Sequence, residues 1–312
     1  MKHSDLPALS MLSASRKELD TTLHVFEGEL PKDIHGYVFF NSPVGNVNSD
    51  GLPFPKQFPN GVKNTDYGSP VFNGDGMVIR LHFDDDGNIY LKSRIMKTPC
   101  YYADAAMTWD SDYHKEKKFK GFPFKNGGIT RMSKIFGVRN QLNTAFLPFR
   151  FNENEPPRML VTFDSGRPYE IDTETLKLLA PIGYVNEWRT GAPTFLKHIF
   201  PVNMTSAHPC FDPETKEIFI ANFIPSYVRM IKGKSIFQAF LRSPRKLERR
   251  LEKLADKLDG VNDDDGDEVL AEIRSFFSKA VDFLEDNPVT VTGKKIIQHV
   301  DDKIDSARGK DP

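Results

Sequence analysis

The alternation of apolar and polar residues predicts β-structure over roughly the first 223 residues. Residues 77–83 place Met, Ile, Leu and Phe at every second position, which is mostly the pattern of a half-buried strand. Asp84-Asp85-Asp86-Gly87 then reverses the chain and residues 88–94 return, which is the signature of a hairpin. Further strands are predicted at residues 36–40, where we expect a short buried strand, and at residues 158–163, 168–171 and 217–223.

From about Ser235 the apolar residues recur at helical spacing instead. Ser243-Pro244 suits the N-cap and first position of a helix, and Gly260 suits its end. An acidic linker at residues 262–267 precedes a second apolar pattern of helical spacing at residues 269–284. These features predict a helical hairpin attached to a β-rich body.

Seven basic residues on the polar side of the first predicted helix allow two interpretations. They can form a solvated face opposite an apolar core stripe. They can also hold the helix at a membrane surface while its Leu and Phe side chains enter the interface. These residues are Arg242, Arg245, Lys246, Arg249, Arg250, Lys253 and Lys257.

Composition fits a soluble globular protein, with 39% hydrophobic and 27% charged residues. The 25 phenylalanines, 22 prolines and 21 glycines favour many short strands joined by turns. A net charge of −1 gives no general attraction to nucleic acid, so no nucleic-acid partner is expected. Two cysteines, no signal-peptide pattern and no apolar run near about 20 residues predict a cytosolic protein. Peripheral contact with a membrane stays open.

Two similar turns lie 40 residues apart in the sequence. Asp172-Thr173-Glu174-Thr175 joins two apolar stretches, and Asp212-Pro213-Glu214-Thr215 does the same. A period of about 40 residues is close to one blade of a β-propeller. The alternative is that this tetrapeptide pattern is simply favourable turn chemistry.

Two glycine-containing segments match catalytic or nucleotide motifs only superficially. Residues 72–77 contain Gly-Asp-Gly, but no Gly-x-Gly-x-x-Gly opens a helix, which excludes the dinucleotide fingerprint. We interpret this segment by itself as a structural turn. Residues 164–168 contain Ser-Gly without the Gly-x-Ser-x-Gly pattern, so a hydrolase nucleophile loop is not supported.

Histidine spacing argues against a compact zinc site borne on a helix, because no two histidines form a short metal-binding motif. His208 is the strongest single candidate, since it lies just before a proline and a tight turn that fix its direction. Imidazole is the commonest ligand for redox-active metals, but a lone loop histidine is more often a bystander. The eight histidines are His3, His24, His35, His82, His114, His198, His208 and His299.

Five motifs in a fixed order over residues 28–223 form the most specific signal in the chain. They are residues 29–37 with 41–43, residues 72–78, residues 90–98, residues 143–146 with 164–172, and Ala207-His208-Pro209 with Asp212 and Thr215. Together they resemble the carotenoid cleavage oxygenase family, which includes the retinal pigment epithelium isomerase and the stilbene-cleaving enzymes.

This resemblance implies an all-β fold, a seven-bladed β-propeller with Fe(II) on its axis. Four histidines from different blades would hold the iron, and His208 maps onto the first of them. The implied reaction is dioxygenase cleavage of a conjugated C=C bond of a carotenoid or apocarotenoid by O2, giving two carbonyl products. An apolar tunnel would admit the polyene, and an apolar patch would contact a membrane.

The chain departs from the family pattern after His208. The family's other three iron histidines come later in its pattern, and no matching strands occur here; His299 matches none of them. We therefore expect residues 1–230 to be the N-terminal part of the propeller, and residues 231–312 to be a helical insertion with a polar tail. The alternative is a catalytically inert truncated product whose amphipathic helices bind a membrane or a partner.

Overall fold

The computed structural model describes residues 14–47, 73–108, 121–126, 130–188, 198–203 and 205–222, with the single positions 49, 61, 190 and 271. Within these residues the chain is mostly antiparallel β-structure with few helices, which confirms the β-rich prediction. No helix among them is long and apolar enough to cross a membrane. The helical hairpin, the basic run and the division at residue 230 fall outside the described residues and stay predictions.

The first four strands are β1 (Asp20–Leu23), β2 (Gly36–Pro43), β3 (Gly76–Phe83) and β4 (Ile89–Ile95). They form sheet 1, which is antiparallel with the strand order β1-β4-β3-β2. The predicted hairpin is confirmed, because β3 and β4 pair directly across the Asp84 turn. The Asp84 carboxylate accepts hydrogen bonds from the backbone N–H groups of Asp86 and Asn88, and Gly87 adopts a φ of 82°.

Sheet 2 is a four-stranded antiparallel meander of β8 (Ala145–Phe149), β9 (Arg158–Thr162), β10 (Tyr169–Ile171) and β11 (Leu178–Pro181). Its strands β9 and β10 are two of the predicted strands. Helix α1 (Pro99–Ala106) and a small three-stranded sheet lie between the two larger sheets along the chain. A short 3-10 helix (Val185–Glu187) and a hairpin of two short strands follow. The three-stranded sheet consists of β5 (Lys125–Asn126), β6 (Arg131–Ser133) and β7 (Gly137–Val138), and the hairpin of β12 (Cys210–Asp212) and β13 (Glu217–Phe219).

The sheets stack on one another in chain order. Val78 of sheet 1 is fully buried in a core shared with Val161 of sheet 2. The Phe39 and Phe146 rings meet across the same boundary at 6.0 Å between centroids. On the other face of sheet 2, Phe211 of the β12–β13 hairpin packs against a separate apolar cluster. Sheet 2 is therefore covered on both faces, by sheet 1 and by the hairpin.

Three details of the strand predictions are wrong. Strand β2 is not buried, since Val38 is 41% and Phe40 50% exposed at the edge of sheet 1. Strand β3 was expected to bury only the face of Met77. The structure also buries the opposite face at Val78, because sheet 2 packs against it. The strand predicted at residues 217–223 is the shorter β13. For β3 the stacking between sheets decides the outcome, and for β2 its place at the edge of sheet 1 does.

The two similar turns share one geometry. The Asp172 carboxylate accepts hydrogen bonds from the N–H groups of the residues two and three positions on, and the Asp212 carboxylate does the same. Leu176 and Lys216, the fifth residue of each turn, both adopt left-handed backbone with φ of 61° and 60°. Both turns close antiparallel hairpins. The turn chemistry accounts for this similarity, and the seven-bladed count stays a prediction.

Candidate metal-ligand segment around His208

His208 lies near the end of an irregular segment, two residues before β12, and it is exposed. Its backbone N–H donates to the Ser206 hydroxyl at 3.2 Å. Thr205, three positions earlier, and Ala207, immediately before His208, are both fully buried. The imidazole therefore projects from a backbone that is itself held inside the protein.

Hydrogen bonds fix the segment before His208 to residues 162–166, at the end of β9. Thr205 donates its N–H to the Asp164 carbonyl at 3.2 Å and its hydroxyl to the Gly166 carbonyl at 2.9 Å. The Ala207 N–H donates to the Asp164 carboxylate at 3.3 Å, and the Thr162 hydroxyl donates to the Ala207 carbonyl. Both polar groups of the Ala207 backbone are thus hydrogen-bonded, one to Thr162 at the end of β9 and one to Asp164 just after it.

Gly166, in the loop that binds the His208 segment, lies in close contact with the Asn140 side chain. It adopts a φ of 109°, and a Cβ there would lie 2.6 Å from the Asn140 side chain. Its N–H donates to the Asn203 carbonyl at 2.6 Å, while Asn140 donates to the Arg167 carbonyl at 2.7 Å. A side chain at this position would be strained by its backbone and would meet Asn140.

The sequence places residues 164–168 among the ordered family motifs and excludes a hydrolase loop there, but it predicts no contact between them and His208. The structure instead places Asp164 and Gly166 against the His208 segment, where they act as supports. The available signal was that both segments belong to the same set of ordered motifs. Their contact could not be derived from spacing, since about 40 residues separate them.

The Gly-Asp-Gly motif has a structural role, as expected. Gly76 packs so closely that an added Cβ would lie 2.1 Å from the Leu142 carbonyl oxygen. Asp75 is fully buried and forms ion pairs with Arg16, at 2.9 Å, and with Arg139. The motif therefore joins the N-terminal segment and the start of β3 to the strand region after β7.

Arg139 is the centre of this buried ionic network, which sequence reasoning missed. Its guanidinium is fully buried and pairs with Asp104 as well as Asp75, while Arg131 binds Asp104 at 2.9 Å. Burial alone would raise the pKa of Asp104, but Arg131 and Arg139 together hold it below the usual value. Burial opposes the charge of Arg139, and the two carboxylates outweigh it and raise the pKa of that guanidinium.

His198 is a second histidine held by the fold, and it differs from His208. Its Nδ1 atom lies 3.3 Å from the Ile135 carbonyl oxygen. Burial lowers the pKa of His198, and the Ile135 contact opposes that shift. The neutral imidazole is therefore its favoured state at neutral pH.

The described residues do not by themselves fit a complete iron site. Among them, no three His, Cys, Asp or Glu side chains are grouped so that they could hold a metal ion. His208 supplies one exposed imidazole, and Cys210 two positions later is an exposed free thiol. The assignment of His208 as a ligand stays a prediction.

Comparison with known proteins places the chain in a family. A model of the family described as retinal pigment epithelial membrane protein (RPE65) matches residues 12–248. An isoeugenol monooxygenase of Pseudomonas nitroreducens is 25% identical over 219 residues, which cover 70% of this chain and 36% of that protein. An isoeugenol monooxygenase of Pseudomonas putida is 26% identical over 195 residues, covering 62% and 31%.

Solved structures of similar proteins include a lignostilbene dioxygenase of Pseudomonas brassicacearum, with a TM-score of 0.38 and 22% identity. That match covers 68% of this chain and 35% of the other. Cobalt-substituted ACO of Synechocystis matches with a TM-score of 0.37 and 22% identity, covering 66% and 35%. The chain spans about a third of the length of its curated relatives. Because the family model matches most of its residues, the chain belongs to the RPE65/carotenoid oxygenase family.

Proposed function

We propose that the protein is a non-heme Fe(II)-dependent dioxygenase that cleaves a conjugated C=C bond. In this reaction the two oxygen atoms of O2 end in two carbonyl products, one on each former alkene carbon. The observation that carries the proposal is the family match over residues 12–248, which includes the whole buttressed His208 segment. The curated relatives are named as oxygenases, which supports the same class of chemistry.

His208 would serve as one ligand of the iron. A neutral imidazole on a fixed backbone suits Fe(II), and an imidazole-held iron would supply the activation of O2. One imidazole does not hold the metal alone, so the proposal requires three further histidines outside the described residues. The hydrogen bonds from Thr205 and Ala207 to Asp164 support the role, because they limit how far the His208 backbone can move.

The proposed substrate is a carotenoid or an apocarotenoid, with O2 as the second substrate. This choice rests on the resemblance of the five ordered motifs. The isoeugenol monooxygenases favour a second candidate, an alkene conjugated to an aromatic ring. Both candidates share the conjugated C=C bond that the proposed reaction requires.

A cytosolic location with peripheral membrane contact completes the proposal. Cys100 and Cys210 are both free thiols, as a reducing compartment would leave them. Contact with a membrane would give an apolar polyene a route to the protein.

Product analysis tests the proposed activity. The purified full-length protein, reconstituted with Fe(II), is incubated in air with a carotenoid, an apocarotenoid or isoeugenol. We expect one of the substrate classes to give two carbonyl products, with one O2 consumed for each substrate molecule cleaved. Under anaerobic conditions we expect no carbonyl products. If no substrate gives carbonyl products in the iron-loaded protein, the proposed activity is wrong.

A further inference from the structure

The hairpin β12–β13 continues beyond its two named strands. Within the strands, Cys210 pairs with Phe219. Beyond them, an antiparallel bridge pairs Thr205 with Asn222. Residues 206–209 of the first strand therefore lie opposite only two residues of the second, so the first strand contains a β-bulge. We call these four residues the bulge.

The last three residues of the bulge give no free N–H group to the opposite strand. The Ala207 N–H donates to the Asp164 carboxylate at 3.3 Å, in the loop after β9. The His208 N–H donates to the Ser206 hydroxyl at 3.2 Å, so the serine closes a local turn. Pro209 has no N–H group. The sequence of the bulge thus diverts three consecutive residues from the ladder of the hairpin.

We propose that the bulge positions His208 for the reaction, with Ser206 and Pro209 as its positioning residues. β-Bulges are over-represented next to active sites, where the extra residues re-aim a side chain. His208 is exposed whereas Ala207 is fully buried, so the backbone of the bulge, rather than packing around the imidazole, sets where the side chain begins. This inference rests on the proposed function, because it takes His208 as a metal ligand.

Ser206 acts on the backbone of His208 and not on its imidazole. A ligand whose backbone can move loses that freedom when the metal binds, and this loss lowers the affinity. Removing an outer partner that orients a metal ligand typically lowers metal affinity by about 10–100-fold. We therefore expect loss of the Ser206 hydroxyl to weaken metal binding in a protein that still folds.

Titration of the metal-free full-length protein with Co(II) tests this role, because the visible absorption of Co(II) reports on its ligands. We expect Ser206→Ala to weaken Co(II) binding about tenfold and to alter the absorption of the bound ion. Ser206→Thr keeps the hydroxyl and should restore both. Thr175→Ala is the matched control, since the Thr175 hydroxyl binds Asp172 in the corresponding turn of sheet 2. That variant should bind Co(II) like the wild type.

Amide hydrogen exchange on the same proteins tests the bulge without a metal. In Ser206→Ala the His208 amide loses its acceptor and should exchange faster than in the wild type, whereas Thr175→Ala should not change it. If circular dichroism shows that Ser206→Ala is unfolded, Pro209→Ala replaces it. The N–H group that this variant adds can rejoin the ladder, so it should weaken Co(II) binding in the same way.

Three results would overturn the inference, and they differ in what they reject. Unchanged exchange at the His208 amide in Ser206→Ala would show that the hydroxyl does not hold the bulge. Faster exchange with unchanged Co(II) affinity and absorption would show that the bulge does not position the ligand. Equal Co(II) affinity of the wild type and His208→Ala would reject the ligand assignment in the proposed function, and the inference with it.

Discussion

At the scale of single residues, the most constrained side chain is Arg139. It is fully buried and lies between Asp75 and Asp104, each of which has a second arginine partner. Removing one member of such a network leaves buried charge with fewer partners. The network joins segments that are far apart in sequence, so its loss should be felt by the whole β-rich body.

Arg139→Met is expected to lower the free energy of unfolding by about 3 kcal/mol. The methionine fills part of the volume but leaves Asp75 and Asp104 with one arginine each. Chemical denaturation measures the change, with Arg150→Met as the control because Arg150 is exposed. Equal free energies of unfolding for Arg139→Met and Arg150→Met would show that the buried network does not stabilise the fold.

The same network predicts a dependence of stability on pH. The pKa of Asp104 is lowered in the folded protein from its ordinary value of 3.8, so the unfolded chain binds the proton more strongly. Its contribution is complete at neutral pH and is lost as the pH falls through 3.8 towards the folded value. Denaturation at neutral and acid pH should show a smaller loss of stability in Asp104→Asn than in the wild type. An identical loss of stability in both proteins would show that Asp104 does not contribute to the pH dependence.

At the scale of elements, local chemistry explains what the sequence could predict. The β3–β4 hairpin and the pairing of β9 with β10 follow from alternation and turn residues within a few positions. Two features depend instead on which residues meet across about 40 or more positions of sequence. One is which strand of sheet 1 stays exposed, and the other is the set of hydrogen bonds between Thr205 and residues 163–166. Those contacts form only when sheets stack, and no local pattern encodes them.

Thr205→Val tests the support of the His208 segment. The substitution keeps the shape but leaves the buried carbonyl groups of Phe163 and Gly166 without the Thr205 hydroxyl. We expect a loss of about 1–3 kcal/mol in stability and faster hydrogen exchange at the Ala207 amide. Thr22→Val, at an exposed position of β1, is the control. An unchanged exchange rate at the Ala207 amide would show that the hydrogen bonds of Ala207 with Asp164 and Thr162 hold the segment without Thr205.

At the scale of the whole molecule, the described chain is a stack of antiparallel sheets in sequence order. Sheet 1, sheet 2 and the β12–β13 hairpin follow one another, and His208 lies at the entry to the last. This arrangement is compatible with successive blades of a propeller, and the chain spans about a third of its curated relatives. The number of blades depends on how sheets pack at long range, which turn spacing cannot determine.

The iron content of the purified full-length protein tests the central claim most directly. We predict about one bound iron per polypeptide in the wild type, and a loss of at least about tenfold in His208→Ala. His24→Ala, at an exposed histidine of the β1–β2 connection, should keep the wild-type amount. Circular dichroism verifies that each variant is folded. A folded His208→Ala protein that retains the wild-type iron content would contradict the assignment of His208 as a ligand.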